Sequence, residues 1–258
     1  MVVLKSCEHE DIHDLRVASR RFRAALNLLG PLCGNGKVPK ISKAVRNLTR
    51  VLGSLRNLDE ALLFFGSNAD QAVLSGLLKR LAHMREQEQH KAIKALKDFR
   101  AGKLDPLVRN MAASLKMKNI RKMGISYLPS YLSTASTGLF GNIRTLLPSA
   151  LHPENSDERH ALRIAFKKLR YFLEIASRIM ERDCDGMIEQ LKKYQTLLGS
   201  MNDMQVFALL CRETATADEL AAVEQVIVLE NARLFHEFVA LVKAEPLDDT
   251  FRYDWLAA

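Results

Sequence analysis

His13, Arg16, Arg20 and Arg23 recur at spacings of three and four residues. On a helix turning ~100° per residue, with His13 as origin, they fall between about 280° and 360°, one narrow strip. Leu15, Phe22, Leu26 and Leu29 fall between about 160° and 220°, so the same helix carries an apolar stripe opposite the basic one. Like charges one turn apart repel, and no carboxylate interrupts the strip. Such a strip can neutralise a polyanion. Arginine offers forked donors to phosphate oxygens, lysine a mobile point charge and imidazole a single donor.

The strip occurs twice. His13-Asp14-Leu15-Arg16-Val17-Ala18-Ser19-Arg20-Arg21-Phe22-Arg23 aligns with His160-Ala161-Leu162-Arg163-Ile164-Ala165-Phe166-Lys167-Lys168-Leu169-Arg170 at an offset of 147 residues. A second block, Leu52-Gly53-Ser54-Leu55, aligns with Leu198-Gly199-Ser200-Met201 at an offset of 146. Two matched blocks in one order point to an internal duplication. The period is far too long for a solenoid and fits two copies of a helical bundle about a pseudo-twofold. In the second copy the basic strip reads His160, Arg163, Lys167, Arg170. A face that keeps same-sign groups together twice is more easily explained by a polyanion than by solvation alone.

The following helix continues the pattern. Lys43, Arg46 and Arg50 share a face beside an apolar stripe of Val45, Leu48, Leu52 and Leu55. In the second copy Leu191, Tyr194, Leu198 and Met201 take the apolar role and Lys192 stands in the place of Arg46. Glu189 and Thr196 replace Lys43 and Arg50, so the second half is expected to offer a thinner basic lining.

These residues need helices to hold them, and the rest of the chain supplies little else. Glycine and proline number 12 and 7 in 258 residues, and alternating strand patterns are nearly absent. Apolar periodicity predicts helices near 9–30, 39–66, 69–100, 106–118, 128–150, 157–182, 186–212 and 217–244, an all-α chain that the repeat divides into two helical bundles. Predicted breaks fall at Gly30-Pro31 with Gly34-Asn35-Gly36, at Gly102 to Pro106, at Pro148 to Pro153 and at Pro246. We treat 1–258 as one domain made of a first repeat, 1–125, and a second, 126–258. The first half holds 24 basic and 11 acidic residues and the second 14 and 19, so the net charge of +8 is concentrated in the first repeat. No apolar run approaches the ~18 residues of a membrane span. Met1 to Lys5 is too short and too soon charged for a signal peptide, so a soluble cytoplasmic protein is expected. Cys7, Cys33, Cys184 and Cys211 are scattered, which favours reduced, mostly buried thiols over disulfides or a thiolate metal site.

The doubled pattern H-x-L-R-[VI]-x-x-[RK]-[RK]-x-R, followed by Leu52-Gly53-Ser54-Leu55-Arg56-Asn57-Leu58-Asp59 and by Leu191 through Gly199 to Asn202-Asp203, resembles the CHAD family over nearly the whole chain. The resemblance implies two bundles about a pseudo-twofold whose basic faces line a groove binding inorganic polyphosphate. It carries the binding role to His13, Arg16, Arg20, Arg23, Lys43, Arg46, Arg50, His160, Arg163, Lys167, Arg170 and Lys192. It also implies association with polyphosphate granules and polyphosphate-metabolising enzymes as a further partner class. No β-rich triphosphate-tunnel region accompanies the helices, unlike in some family members. Only 12 residues precede His13, so a shortened first bundle or a fragment is expected. Both histidines are expected to donate to phosphate oxygens, and binding to tighten from about pH 8 to about pH 6.

Other signals are weaker. His9-Glu10-Asp11-Ile12-His13 matches H-E-x-x-H, but the second copy lacks the other ligand and the base, and the basic strip explains His13 better. Asn57 and Asp203 hold matching positions and are expected to orient a basic neighbour or cap a turn. Lys116, Lys118, Arg121 and Lys122 form a cluster that is either a solvated loop or an extension of the anion track. His83, His90, His152 and His236 have no ligand-like spacing. No nucleophile–base pair, P-loop or carboxylate set for divalent metal is found, so an enzyme of phosphate-polymer metabolism is disfavoured and no cofactor, metal or catalytic residue is expected. Aromatics are 7% of the chain and none interleave the strip, so stacking on single-stranded nucleic acid is poorly supported. The alternatives to polyphosphate binding are a nucleic-acid-binding helical protein, an accessory to a phosphate-polymer enzyme, and a helical repeat protein with an incidental basic groove. Because the strips lie opposite the apolar stripes, removing Arg16, Arg20, Arg163 and Arg170 is expected to abolish binding without unfolding.

Overall fold

The computed structural model of the chain describes residues 9–33, 38–68, 71–99 and 127–247, with scattered positions between 105 and 113. Among them it contains α-helices and one 3₁₀ turn, and no strand. The helices are α1 (His9–Leu29), α2 (Val38–Asn68), α3 (Gln71–Asp98), α4 (Tyr127–Ala150), α5 (Ser156–Met180), α6 (Asp185–Thr214) and α7 (Ala217–Ala244), with the 3₁₀ turn at Gly30–Cys33. Each described helix lies within two or three residues of its periodicity-based bounds. The helix expected over 106–118, the glycine turn at 34–36 and the Lys116–Lys122 cluster lie wholly or largely outside the described residues, as do Cys7 and the Cys33 side chain.

The chain forms two compact units, Met1–Ala113 with Asp203–Glu230, and Ser114–Asn202 with Asn231–Ala258. Each unit thus takes part of α6 and part of α7.

In the first unit α1, α2 and α3 share a core of Ile12, Leu48, Leu52, Leu55 and Ala92, edged by Leu15, Val51, Ile93 and Leu96. Burial of each such leucine or isoleucine contributes about 1.5–3 kcal/mol, which makes this seam the reason α1 stays on α2. Further along, the rings of Phe64 and Phe65 lie 5.4 and 5.8 Å from that of Phe207. The α6–α7 corner is a capping box. The Thr216 N–H donates to Glu219 Oε2 at 2.7 Å while the Glu219 N–H reaches Thr216 Oγ1 at 3.4 Å, so two exposed helix-end donors are satisfied reciprocally. Arg80 of α3 pairs with the same carboxylate and donates from Nε to the Thr214 carbonyl at 2.8 Å. Gly76 gives that pair its space, since a Cβ there would stand 2.7 Å from Glu219 Oε1. The Thr216 bonds, ahead of the Arg80 charge, hold the Glu219 carboxyl below its usual range.

In the second unit α4 packs on α5, whose buried face is Leu162, Ala165, Phe166, Leu169, Leu173 and Ala176. Phe166 stacks on Tyr194 of α6 with ring centroids 5.0 Å apart, and Tyr194 meets Phe238 of α7 edge-on at 6.4 Å. The Tyr194 hydroxyl donates to the Glu245 carbonyl at 2.7 Å, and burial with the nearby Glu245 charge pushes the phenol up to about 12. Arg159 is buried at the start of α5. Its guanidinium donates to the carbonyls of His152 at 2.6 Å and Pro153 at 2.7 Å beyond the end of α4, and stacks 5.1 Å from the Phe235 ring centroid. α5 ends at Glu181, which takes the left-handed conformation with φ 52°, and the Arg182 N–H returns to the Ser177 carbonyl at 3.0 Å. Cys184 here and Cys211 in the first unit are free and buried, their thiols pushed up by burial to about 11 and about 12.

Candidate anion-binding faces

The first face is built on α1 and α2. The buried residues of α1 are Ile12, Ser19 and Leu26. With His13 as origin they lie at about 220–260°, between the leucine stripe and the basic strip. The basic strip therefore borders the packing face and does not lie opposite it, which corrects the placement expected from the leucines alone. The cause is a polar contact inside the seam. The Thr49 hydroxyl lies 2.9 Å from that of Ser19 and 2.7 Å from the Val45 carbonyl. The Ser19 hydroxyl is 2.9 Å from the Arg16 carbonyl, so both buried hydroxyls have acceptors. A Ser–Thr contact carries no apolar signature, and the wheel misses it.

This rotation sets the fate of each arginine. Arg16 reaches across to α2 and donates from Nη1 to the Thr49 carbonyl at 3.2 Å. Its guanidinium lies over Gly53, where a Cβ would come within 2.7 Å of Nη1, so only glycine leaves that path clear. Arg16 is thus a half-buried strut between helices, and its removal is not neutral to the fold as the sequence suggested. Arg23 is half-buried, and its Nε is buried without a hydrogen-bond partner among the described residues. Burial, then the charges of Arg46 and Arg20, lower its pKa from the ordinary guanidinium value. Arg20, Arg23 and Arg46 therefore form one electrostatically coupled cluster across two helices. His13, Lys43 and Arg50 are exposed on the same two helices.

Among the described residues no carboxylate forms an ion pair with Arg20, Arg23, Lys43, Arg46 or Arg50. The two acids of α2 are engaged elsewhere. Glu60 pairs with Arg56, and His9 Nε2 lies 3.8 Å from the same carboxylate. Buried Asp59 accepts from Arg85 Nε of α3 at 2.5 Å. His9 Nε2 has no hydrogen-bond partner among the described residues, and among them no three His, Cys, Asp or Glu side chains converge as metal ligands would.

The second face lies on α5 and the first part of α6. His160 is exposed, with Nδ1 2.7 Å from Asn202 Oδ1. Arg163 and Lys167 are half-buried. Arg170 donates to Glu174 Oε1 at 3.1 Å and its guanidinium carbon lies 4.7 Å from the Tyr171 ring centroid. Lys192 pairs with Glu189 at 2.5 Å. Gln195, which stands where Thr49 does in the first copy, donates from Nε2 to the Phe166 carbonyl at 3.1 Å. Arg170 and Lys192 of this face thus hold carboxylates of their own helices. Residue types alone hid the role of Asn202. It was visible only as part of the Leu198–Asp203 block, one turn beyond the apolar stripe.

A helical fold among the described residues, with a basic strip bordering the α1–α2 seam, is the class of protein these features define. The CHAD domain family model matches residues 2–212, and the chain belongs to the CHAD family. CHAD domains as a family are linked to polyphosphate. Among solved structures, the crystal structure of the CHAD domain from the plant Ricinus communis matches with a TM-score of 0.65 at 22% sequence identity, covering 100% of this chain and 85% of that one, a likeness of fold. No curated protein matches the chain. Among the described residues no helix is long and apolar enough to cross a membrane.

Proposed function

We propose that this chain binds inorganic polyphosphate without catalysing its turnover, first through the α1–α2 face. The observation that carries the reading is the Arg20–Arg23–Arg46 cluster. Three guanidiniums act on one another, no carboxylate among the described residues pairs with them, and Arg23 Nε is buried without an acceptor among those residues. A chain of phosphates supplies what the cluster lacks, namely oxygens for the donors and charge against the mutual repulsion. His13, Lys43 and Arg50 extend the face. In the second unit His160, Arg163, Lys167, Arg170 and Lys192 form a weaker face, because Glu174 and Glu189 already occupy two of its cations. The matched blocks support an internal duplication in which the second copy has acquired acids. Family membership supports polyphosphate over nucleic acid, as does the lack of aromatics along the strip. In a cell the reading implies targeting to cytoplasmic polyphosphate granules, with polyphosphate-metabolising enzymes as potential partners.

Affinity drawn from charge neutralisation falls steeply with salt. The test is calorimetry with long-chain polyphosphate at two salt concentrations, with duplex DNA and RNA as competitors. Tight, salt-sensitive binding that excess nucleic acid does not displace is the expected result. Equal displacement by DNA or RNA would mean that the face senses charge alone, and the polyphosphate reading would fall.

A further inference from the structure

We infer that Asn202 is a positioning residue that holds neutral His160 in the Nδ1–H tautomer, so that His160 can donate to a phosphate oxygen only as imidazolium. The first half of this inference rests on geometry alone; the second rests on the proposed polyphosphate binding. Asn202 presents its amide oxygen, a pure acceptor, 2.7 Å from His160 Nδ1. A bond of that length to an acceptor requires the proton on Nδ1. The neutral ring has one N–H, so Nε2 then carries a lone pair. A phosphate oxygen also offers lone pairs, and the two do not bond. Protonation places an N–H on Nε2 and turns the ring into a donor. The charged residues nearest in sequence are Asp157, Glu158, Arg159 and Arg163 on α5 and Asp203 beside Asn202 on α6, while α4 carries a single charged residue, Arg144. Their charges act on both ring nitrogens. Only the directional bond from Asn202 distinguishes them.

The first copy lacks this device. Arg56 stands in the place of Asn202, and it is a cation engaged with Glu60 that cannot accept from an imidazole. His13 is exposed and has no hydrogen-bond partner among the described residues. Both tautomers are open to it, so it can donate from Nε2 while neutral. The same histidine thus gives a pH-dependent contact in one copy and a largely pH-independent one in the other.

The experiment uses the full chain with ¹⁵N-labelled histidine, with signals assigned by H160Q and H13Q. Long-range proton–nitrogen spectra at about pH 8 should show His160 as Nδ1–H, and a His13 that is mixed or Nε2–H. Asn202→Asp, which keeps an acceptor, should preserve the His160 tautomer; Asn202→Leu should release it. Polyphosphate titrations at about pH 6 and about pH 8 supply the second readout. The affinity ratio between the two pH values should fall about threefold or more in H160Q and in N202L, and less in H13Q. A His160 that is Nε2–H in the wild-type chain overturns the inference whatever binds. A correct tautomer with an unchanged pH ratio in H160Q overturns the donor half. Absence of polyphosphate binding by the wild-type chain at both pH values overturns the proposed function and the donor half together, and leaves the tautomer assignment standing.

Discussion

Arg16 and Arg163 stand at the same place in the two copies, as do Gly53 and Gly199, yet the neighbourhoods differ. Over Gly53 lies the Arg16 guanidinium, bonded to the Thr49 carbonyl; a Cβ at Gly199 would meet nothing within 4 Å. Where Thr49 joins Ser19 in a buried hydroxyl pair, Gln195 donates to the Phe166 carbonyl beneath a stack of Phe166 on Tyr194. Ile12 fills the core where Arg159 ties down the end of α4. The second strip stands beside aromatic packing and has Glu174 and Glu189 on two of its cations. On the first, Arg20, Arg23 and Arg46 act on one another and form no ion pair with a carboxylate among the described residues. Matching sequence blocks therefore do not imply matching electrostatics. What makes a basic strip available to a ligand is the set of neighbours that could neutralise it first.

The comparison breaks most clearly in binding. Replacing Arg20, Arg23 and Arg46 together by glutamine should weaken polyphosphate binding about a hundredfold or more, each lost charge-assisted contact being worth roughly 1.5–3 kcal/mol. The matching triple on the second strip, Lys167, Arg170 and Lys192 to glutamine, should cost about tenfold, because Arg170 and Lys192 must leave a carboxylate before binding phosphate. Calorimetry on both triples decides it, and equal losses would remove the asymmetry. Next in size is a stability effect. Arg159→Met should cost about 1–3 kcal/mol in urea unfolding, since it leaves the part-buried carbonyls of His152 and Pro153 without their donor. Ile12→Val at the matched position should cost about 0.5–1.5 kcal/mol.

Glycine substitutions give a sharper, smaller contrast. Gly199→Ala meets open space and gains helix propensity, so it should stabilise by up to about 1 kcal/mol. Gly53→Ala gains the same propensity but displaces the Arg16 guanidinium from the Thr49 carbonyl. Its net change in stability should lie near zero, with weakened binding as Arg16 moves. The smallest expected effect is the most diagnostic. Arg23→Gln should raise the unfolding midpoint, by a few tenths of a kcal/mol, because it relieves burial of a charge beside two others. The same substitution should lower polyphosphate affinity about tenfold. A variant that is more stable yet binds less well marks a group kept for a ligand; lost stability would mark Arg23 as structural.

The helices were legible because a helix is written in local periodicity. Val45, Leu48, Leu52 and Leu55, and likewise Leu191, Tyr194, Leu198 and Met201, recur at three and four residues, and all are buried. The α1 wheel was legible only to within about 40°, because Ser19 and Thr49 pack in the seam without being apolar. That modest rotation moves Arg16 and Arg23 from a solvent face to the border of the helix pair. Asn202 could be seen in the sequence as part of a block, but not as the residue facing His160, 42 positions away.

By itself, the sequence determined the all-α class, the helix bounds, the repeat of the basic strip and its bias toward the first half, since each depends on residue type and spacing along one chain. The tertiary structure alone decided which cations are paired with carboxylates, which arginine crosses a seam over a glycine, and which histidine faces an amide oxygen. Those outcomes depend on which side chains of distant segments come within about 3 Å, a distance at which hydrogen bonds and ion pairs either form or do not. Periodicity places a residue on a face, and the neighbouring helix decides what that face can still bind.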